Sequence, residues 1–189
     1  MWSSIRAASL LVAVLTLVTA ASAGAAIPRA QTVTDRAGDQ HHGAGWSSHP
    51  AARAEADLRR TTVAVHGHDV WISIRLGRLR PSPRNLALAV NLGLVQARST
   101  EQLDVSIDVG PGRQLGATLF IGRTPTCGHS VTASARPTHR TVVARVPLRC
   151  LGTTARALTD PRIDSTLFAP DARTIASDVS FGNWTLRLP

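Results

Sequence analysis

From residue 31 onward apolar side chains recur at every second position, and helical spacing is nowhere sustained. Thr61, Val63 and Val65 lead into Gly67-His68, and Val70, Ile72, Ile74 and Leu76 lead out. A tight turn at Gly67-His68 sets Val65 against Val70, Val63 against Ile72 and Thr61 against Ile74, with Trp71, Ser73 and Arg75 on the other face. Turn and alternation agree on one register, so the segment reads as a hairpin. Leu86, Leu88, Val90, Leu92 and Leu94 alternate in the same way, as do Leu103, Val105, Ile107 and Val109. After Gly110-Pro111-Gly112 the pattern returns in Leu115, Ala117, Leu119 and Ile121, where Val109 faces Leu115 and Ile107 faces Ala117. One apolar face per strand is the habit of antiparallel sheets, and turn residues recur about every 8–12 positions, as in sandwiches. The pattern predicts an all-β fold, an antiparallel two-sheet β-sandwich of about eight strands in one domain over residues 24–189. Residues 31–56 read as a loop-rich N-terminal segment.

The two cysteines fit this scheme. A hairpin centred on Arg136-Pro137-Thr138-His139-Arg140 aligns Ala135 with Val142, Ala133 with Ala144 and Val131 with Val146. Continued outward, the same register sets Cys127 opposite Cys150, within disulfide reach. A bond there closes residues 127–150 as a hairpin. A redox pair is disfavoured, because CxxC spacing is absent.

The N-terminus carries a different signal. Arg6 precedes an apolar run from Ala7 to Ala20, and Ala21-Ser22-Ala23 supplies small residues at −3 and −1. This is the layout of a Sec signal peptide over residues 1–23. The run falls short of the ~20 residues a membrane span requires. The expectation is a secreted, extracellular chain with no transmembrane anchor after cleavage. Cleavage removes Arg6, the one charged residue of the segment, and takes the formal charge from +9 to +8.

Composition narrows the function. With 189 residues, 43% hydrophobic and 17% charged, the chain has enough apolar matter for a core and too little charge for disorder. All 21 basic residues are arginine, which points as much to GC-rich codon usage as to a selected basic surface. Arg75, Arg78, Arg80 and Arg84 nonetheless cluster, and Arg136, Arg140, Arg145 and Arg149 line the cysteine hairpin. Such stripes attract polyanions, here a cell-envelope polyanion, while sparse aromatics argue against specific nucleic-acid binding.

The segment ahead of the first hairpin holds the most chemistry. Asp35-Arg36-Ala37-Gly38-Asp39 is a D-x-x-G-D turn, a polar glycine-rich stretch follows, and Asp57-Leu58 precedes the alternating Val63, Val65, His66 and His68. Later comes Val146-Pro147-Leu148-Arg149-Cys150-Leu151-Gly152. Together these resemble the N-terminal part of carbohydrate-binding family 9-like and DOMON-like β-sandwiches, and more closely a set of small secreted actinobacterial proteins. The resemblance spans most of residues 31–152 and implies a sandwich. It also implies a possible Ca²⁺ near the turn, with Asp35, Asp39 and Asp57 as oxygen donors. The alternative is that Asp35 and Asp39 cap a tight turn while Gly38 supplies positive φ. A glycan reading would use Trp46 and Trp71 as platforms, although a Trp placed like Trp71 more often lies in the second sheet interface or under a loop. The only methionine is Met1, so the Met/His haem ligation of some DOMON domains is excluded in the mature chain.

His41, His42 and His49, or His66 and His68, could be read as Zn²⁺ or Cu²⁺ ligands, but they lie in glycine-containing turns without partner cysteines and read as solvated loop residues. No nucleophile elbow, zincin motif, P-loop or dinucleotide fingerprint occurs. Asp104 and Asp108 share one wet strand face through plain alternation. The expectation is a non-catalytic exported β-sandwich that binds a glycan or other cell-envelope component. Its alternative is an accessory protein acting through protein contacts.

Overall fold

The computed structural model describes residues 29–39, 50–80, 85–110, 115–168 and 174–189. The signal segment 1–23, Trp46, His41, His42, His49 and Arg84 lie outside the described residues. Two antiparallel sheets make up the fold. The first runs β1 (Ala30–Thr34), β2 (Leu58–His66), β3 (Asp69–Leu76), β9 (Thr141–Pro147) and β8 (Thr132–Arg136). The second runs β11 (Thr174–Phe181), β10 (Ala155–Phe168), β4 (Leu86–Gln96), β5 (Thr100–Val109), β6 (Leu115–Ile121) and β7 (Thr124–Thr126). β12 (Thr185–Arg187) lies beside the first half of β10. A short helix α1 (Pro50–Ala56) precedes β2. No helix among the described residues is long and apolar enough to cross a membrane.

The alternation does the structural work. Val63, Ile72, Ile74, Val142 and Ala144 of the first sheet face Leu88, Val90, Leu92, Val105, Ile107 and Leu119 of the second in one buried core. The β2–β3 register sets Val65 against Val70, Val63 against Ile72 and Thr61 against Ile74, and Val109 meets Leu115 across β5 and β6, as the sequence pattern predicts.

Twelve described strands exceed the expected eight. The surplus lies where alternation is short or broken. β7 and β12 are only 3 residues each. In β10 the ladder with β4 shifts across Asp160-Pro161 and continues as a bulge. Asp160 takes up φ 45°, and Pro161, which has no N–H to give the ladder, sits where none is needed. Within 31–56 the described residues include most of β1, the turn that follows it and all of α1.

Cys127 and Cys150 are bonded, with Cα atoms 5.6 Å apart. The β8–β9 ladder pairs Ala133 with Ala144 and Ala135 with Val142 but stops at Thr132–Arg145. The cysteines lie beyond it, Cys127 at φ 69° before one short 3₁₀ turn and Cys150 within another. The disulfide therefore ties two turns at the hairpin mouth rather than two strands.

Candidate functional site

Three places on the fold bring chemistry together. The first is the end where the turn after β1, helix α1 and β11 meet. Gly38 adopts φ 81°, which lets the D-x-x-G-D segment fold back on itself. One ligand oxygen each from Asp35, Asp39 and Asp178 lies within 4.8 Å of the others. Asp57 is beside this group but differently engaged. Its Oδ1 accepts the Gly38 N–H at 3.2 Å, and its Oδ2 pairs with Arg59. Asp178, on the inward face of β11, accepts the Leu58 N–H at 2.8 Å and its neighbour Val179 N–H at 2.9 Å. Asp35 accepts the Arg36 N–H through Oδ1 at 2.8 Å, while its shielded Oδ2 has no hydrogen-bond partner among the described residues.

Crowding shows in the electrostatics. Burial is the main force pushing the Asp178 carboxyl up to about 6, with Asp35 and Asp39 adding to it and the two backbone N–H groups opposing. Asp35 is raised as well, first by burial and then by Asp39 and Asp57, against the Arg36 N–H and Arg59. Carboxylates so arranged are relieved by a proton or by a hard cation, which favours several oxygen donors. The fit to Ca²⁺ rests on the all-oxygen donor set and the unpartnered Asp35 Oδ2. The third member here is Asp178, where the sequence reading had placed Asp57. Asp178 has no motif around it. Its signal was a carboxylate at an inward position of a strand, flanked by buried Ala176 and Ser180.

The second place is the outer face of the five-stranded sheet. Trp71 stands there half-buried, between Ala64 of β2 and Arg145 of β9. The His66 ring meets it edge-on, centroids 5.9 Å apart, and Arg145 is held by Asp69 at 2.7 Å. His66 and His68 are exposed, and the three-residue metal grouping among the described residues does not include them. The arginine stripes divide. Arg80 is bound to buried Glu55 of α1, Arg145 to Asp69, and Arg149 reaches the Ser130 hydroxyl at 3.4 Å.

The third place escaped the sequence reading. On the outer face of the seven-stranded sheet, Phe181, Arg162, Asn91, Asp104 and Phe120 stand in one row, each opposite the next on successive strands. Four strand steps of about 4.8 Å put the two phenylalanines roughly 19 Å apart. Between them the polar groups are fixed by one another. Arg162 grips Asp164 with Nη2 at 2.9 Å, Asn91 Nδ2 donates to Asp164 at 3.3 Å, and Gln102 donates to Asn91 Oδ1 at 2.9 Å. The Arg162 guanidinium lies 5.8 Å from the Phe181 ring centre, and Phe181 is 67% exposed. Asp104 Oδ1 has no partner among the described residues, and its carboxyl is raised by burial first and by Asp164 second. A depression of about 340 Å³ adjoins the row, lined by Asn91, Gly93, Thr100, Gln102 and Arg162 among others. The neighbouring row is Val179, Asp164, Ala89, Ser106 and Thr118, short side chains apart from Val179 and Asp164, the latter reaching across to Arg162 and Asn91. Alternation alone places these side chains on one face; strand order, which brings β10 beside β4, was not readable. No protein-family model matches the chain, and no curated protein matches it in sequence.

Proposed function

We propose that this chain is an exported, non-catalytic β-sandwich that binds a cell-envelope glycan on the outer face of its seven-stranded sheet. The observation that carries the reading is the row Phe181, Arg162, Asn91, Asp104 and Phe120. Sugars present hydroxyls at their edges and C–H groups on their faces. The row offers donors and acceptors held in place in its middle and an aromatic ring at each end. The three carboxylates at the other site support an accessory role, in which Ca²⁺ would brace the turn after β1 against β11.

Binding of the mature protein to insoluble envelope polysaccharide and to soluble oligosaccharides, followed by calorimetry, tests the reading. Asn91→Ala and Phe181→Ala should each weaken binding by about tenfold, the loss of one or two good hydrogen bonds or of one stacking contact. No glycan binding by the wild-type protein would overturn the proposal. So would full loss in Trp71→Ala with Asn91→Ala unaffected, which would move the site to the opposite sheet.

A further inference from the structure

The outer face of the five-stranded sheet carries a second row, Thr34, Arg60, Arg75, Thr141 and Arg136, again in register across the strands. In it Arg60 and Arg75 are directly opposite one another, an arrangement of like charges that destabilises a sheet unless something lies between them. Neither has an ion-pair partner among the described residues, where the pairs formed are Arg59 with Asp57, Arg80 with Glu55, Arg145 with Asp69 and Arg162 with Asp164. Every acidic residue of the chain except Asp171 lies among the described residues, and none of those pairs with Arg60 or Arg75. Asp57 and Asp69, the nearest in sequence to the two arginines, are paired with Arg59 and Arg145, and Asp35, next to Thr34, lies with Asp39 and Asp178.

A third arginine is held ready beside this pair. Arg140 adopts the left-handed conformation at φ 55°, unusual for a branched polar chain of its size. Its N–H donates to Pro137 O at 3.0 Å, its carbonyl accepts the Leu76 N–H at 2.9 Å, and its Nη1 donates to Gly77 O at 3.2 Å. Arg60, Arg75, Arg140 and the Thr34 hydroxyl line a depression of about 450 Å³, whose remaining cation, Arg59, is neutralised by Asp57.

We infer that this depression is an oxyanion site, and that its ligand presents a phosphate group. A planar carboxylate has two oxygens, which one guanidinium satisfies by itself. Three arginines, two from neighbouring strands and one from the turn before β9, together with Thr34, match the several oxygens of a tetrahedral anion. The volume holds a phosphate together with part of whatever bears it, within the ~300–1,000 Å³ of ordinary ligand sites. The site lies on the opposite face from the proposed glycan row and does not rest on that reading.

Calorimetric titration of the wild-type protein with inorganic phosphate, against chloride at equal ionic strength, should give saturable binding at one site. Arg75→Ala and Arg60→Ala should each weaken it on the order of tenfold or more, the worth of a charge-assisted hydrogen bond. Asn91→Ala should leave it unchanged. Because both arginines are exposed and repel one another, each variant should also melt higher than the wild type in phosphate-free buffer, and should lose the phosphate-induced rise in Tm. A polyol-phosphate oligomer that binds tighter than phosphate and competes with it identifies a polymer as the source. Equal or weaker binding identifies the free ion or a small phosphate ester. Either result upholds the site. Absence of saturation beyond the chloride control, or phosphate binding unchanged in both arginine variants, overturns it.

Discussion

Replacing Asp178 by Asn isolates the cost of the crowded carboxylates. Asp178 is 1% exposed, and its carboxyl is pushed from 3.8 up to about 6. The folded state therefore holds this proton more tightly than the unfolded chain does. The stabilisation is fully present below about pH 4 and is lost as pH rises through about 6. The displacement from 3.8 to about 6 corresponds to about 3 kcal/mol. That figure is an upper bound, since Asp35, itself raised, interacts with Asp178 and titrates with it. Asn keeps an oxygen for the Leu58 N–H and carries no charge, but gives up the bond from the Val179 N–H, which offsets part of the gain. In EDTA, the wild-type protein should lose stability between pH 4 and pH 7, while Asp178→Asn should change much less. At pH 7.5 the variant should melt higher by up to ~6–12 °C, at about 2–4 °C per kcal/mol for a domain of this size. Near pH 4 the two should coincide. Added Ca²⁺ should raise the Tm of the wild type by mass action on the folded state and leave the variant nearly unmoved. A variant less stable than wild type at pH 7.5 in EDTA, or a wild type indifferent to pH from 4 to 7, would refute the reasoning about the charges. A wild type indifferent to both EDTA and Ca²⁺ would leave the cluster relieved by protons alone.

Non-reducing peptide mapping should recover Cys127 and Cys150 in one fragment, and reduction should cost about 3 kcal/mol by chain entropy for a loop of 23 residues. Gly77→Ala should destabilise by about 1–3 kcal/mol through overpacking, because a Cβ there would lie 2.5 Å from Asp57 Oδ2 and 2.9 Å from Ala54 O; a neutral melting curve would contradict that close approach. Leu88→Ala in the core should cost about 2–5 kcal/mol by denaturant unfolding. Mass spectrometry of culture supernatant should find a chain beginning at Gly24 or up to three residues later, and a full-length membrane-bound protein would disprove export.

What could be read from the residues was whatever local periodicity encodes. The Gly67-His68 turn and the alternation around it determine a register by themselves, and so does the hairpin through Pro137. Strand order is set by packing between distant segments, and nothing local announces that Arg162 will stand beside Asn91. The acidic site shows the same division. Asp35, Asp39 and Asp57 were visible because they sit in or near a motif, whereas Asp178 arrives from the far end of the chain through the docking of β11 on α1. Asp57, though nearby, is turned aside by Arg59 and the Gly38 N–H, a local competition that spacing does not reveal.

The pairing of β4 with β10 joins Leu86 to Leu167 and Leu94 to Leu158. A chain delivered from its N-terminus can assemble β2 to β6 well before β10 has arrived. Until then β4 has one open edge, with the backbone of Leu86 to Val90 free to hydrogen-bond a neighbouring molecule. Biogenesis is thus a hazardous stage in the life of this protein. Cleavage or premature termination before residue 155 would leave β4 without its partner, and such fragments should be found in aggregates or bound to a holding chaperone.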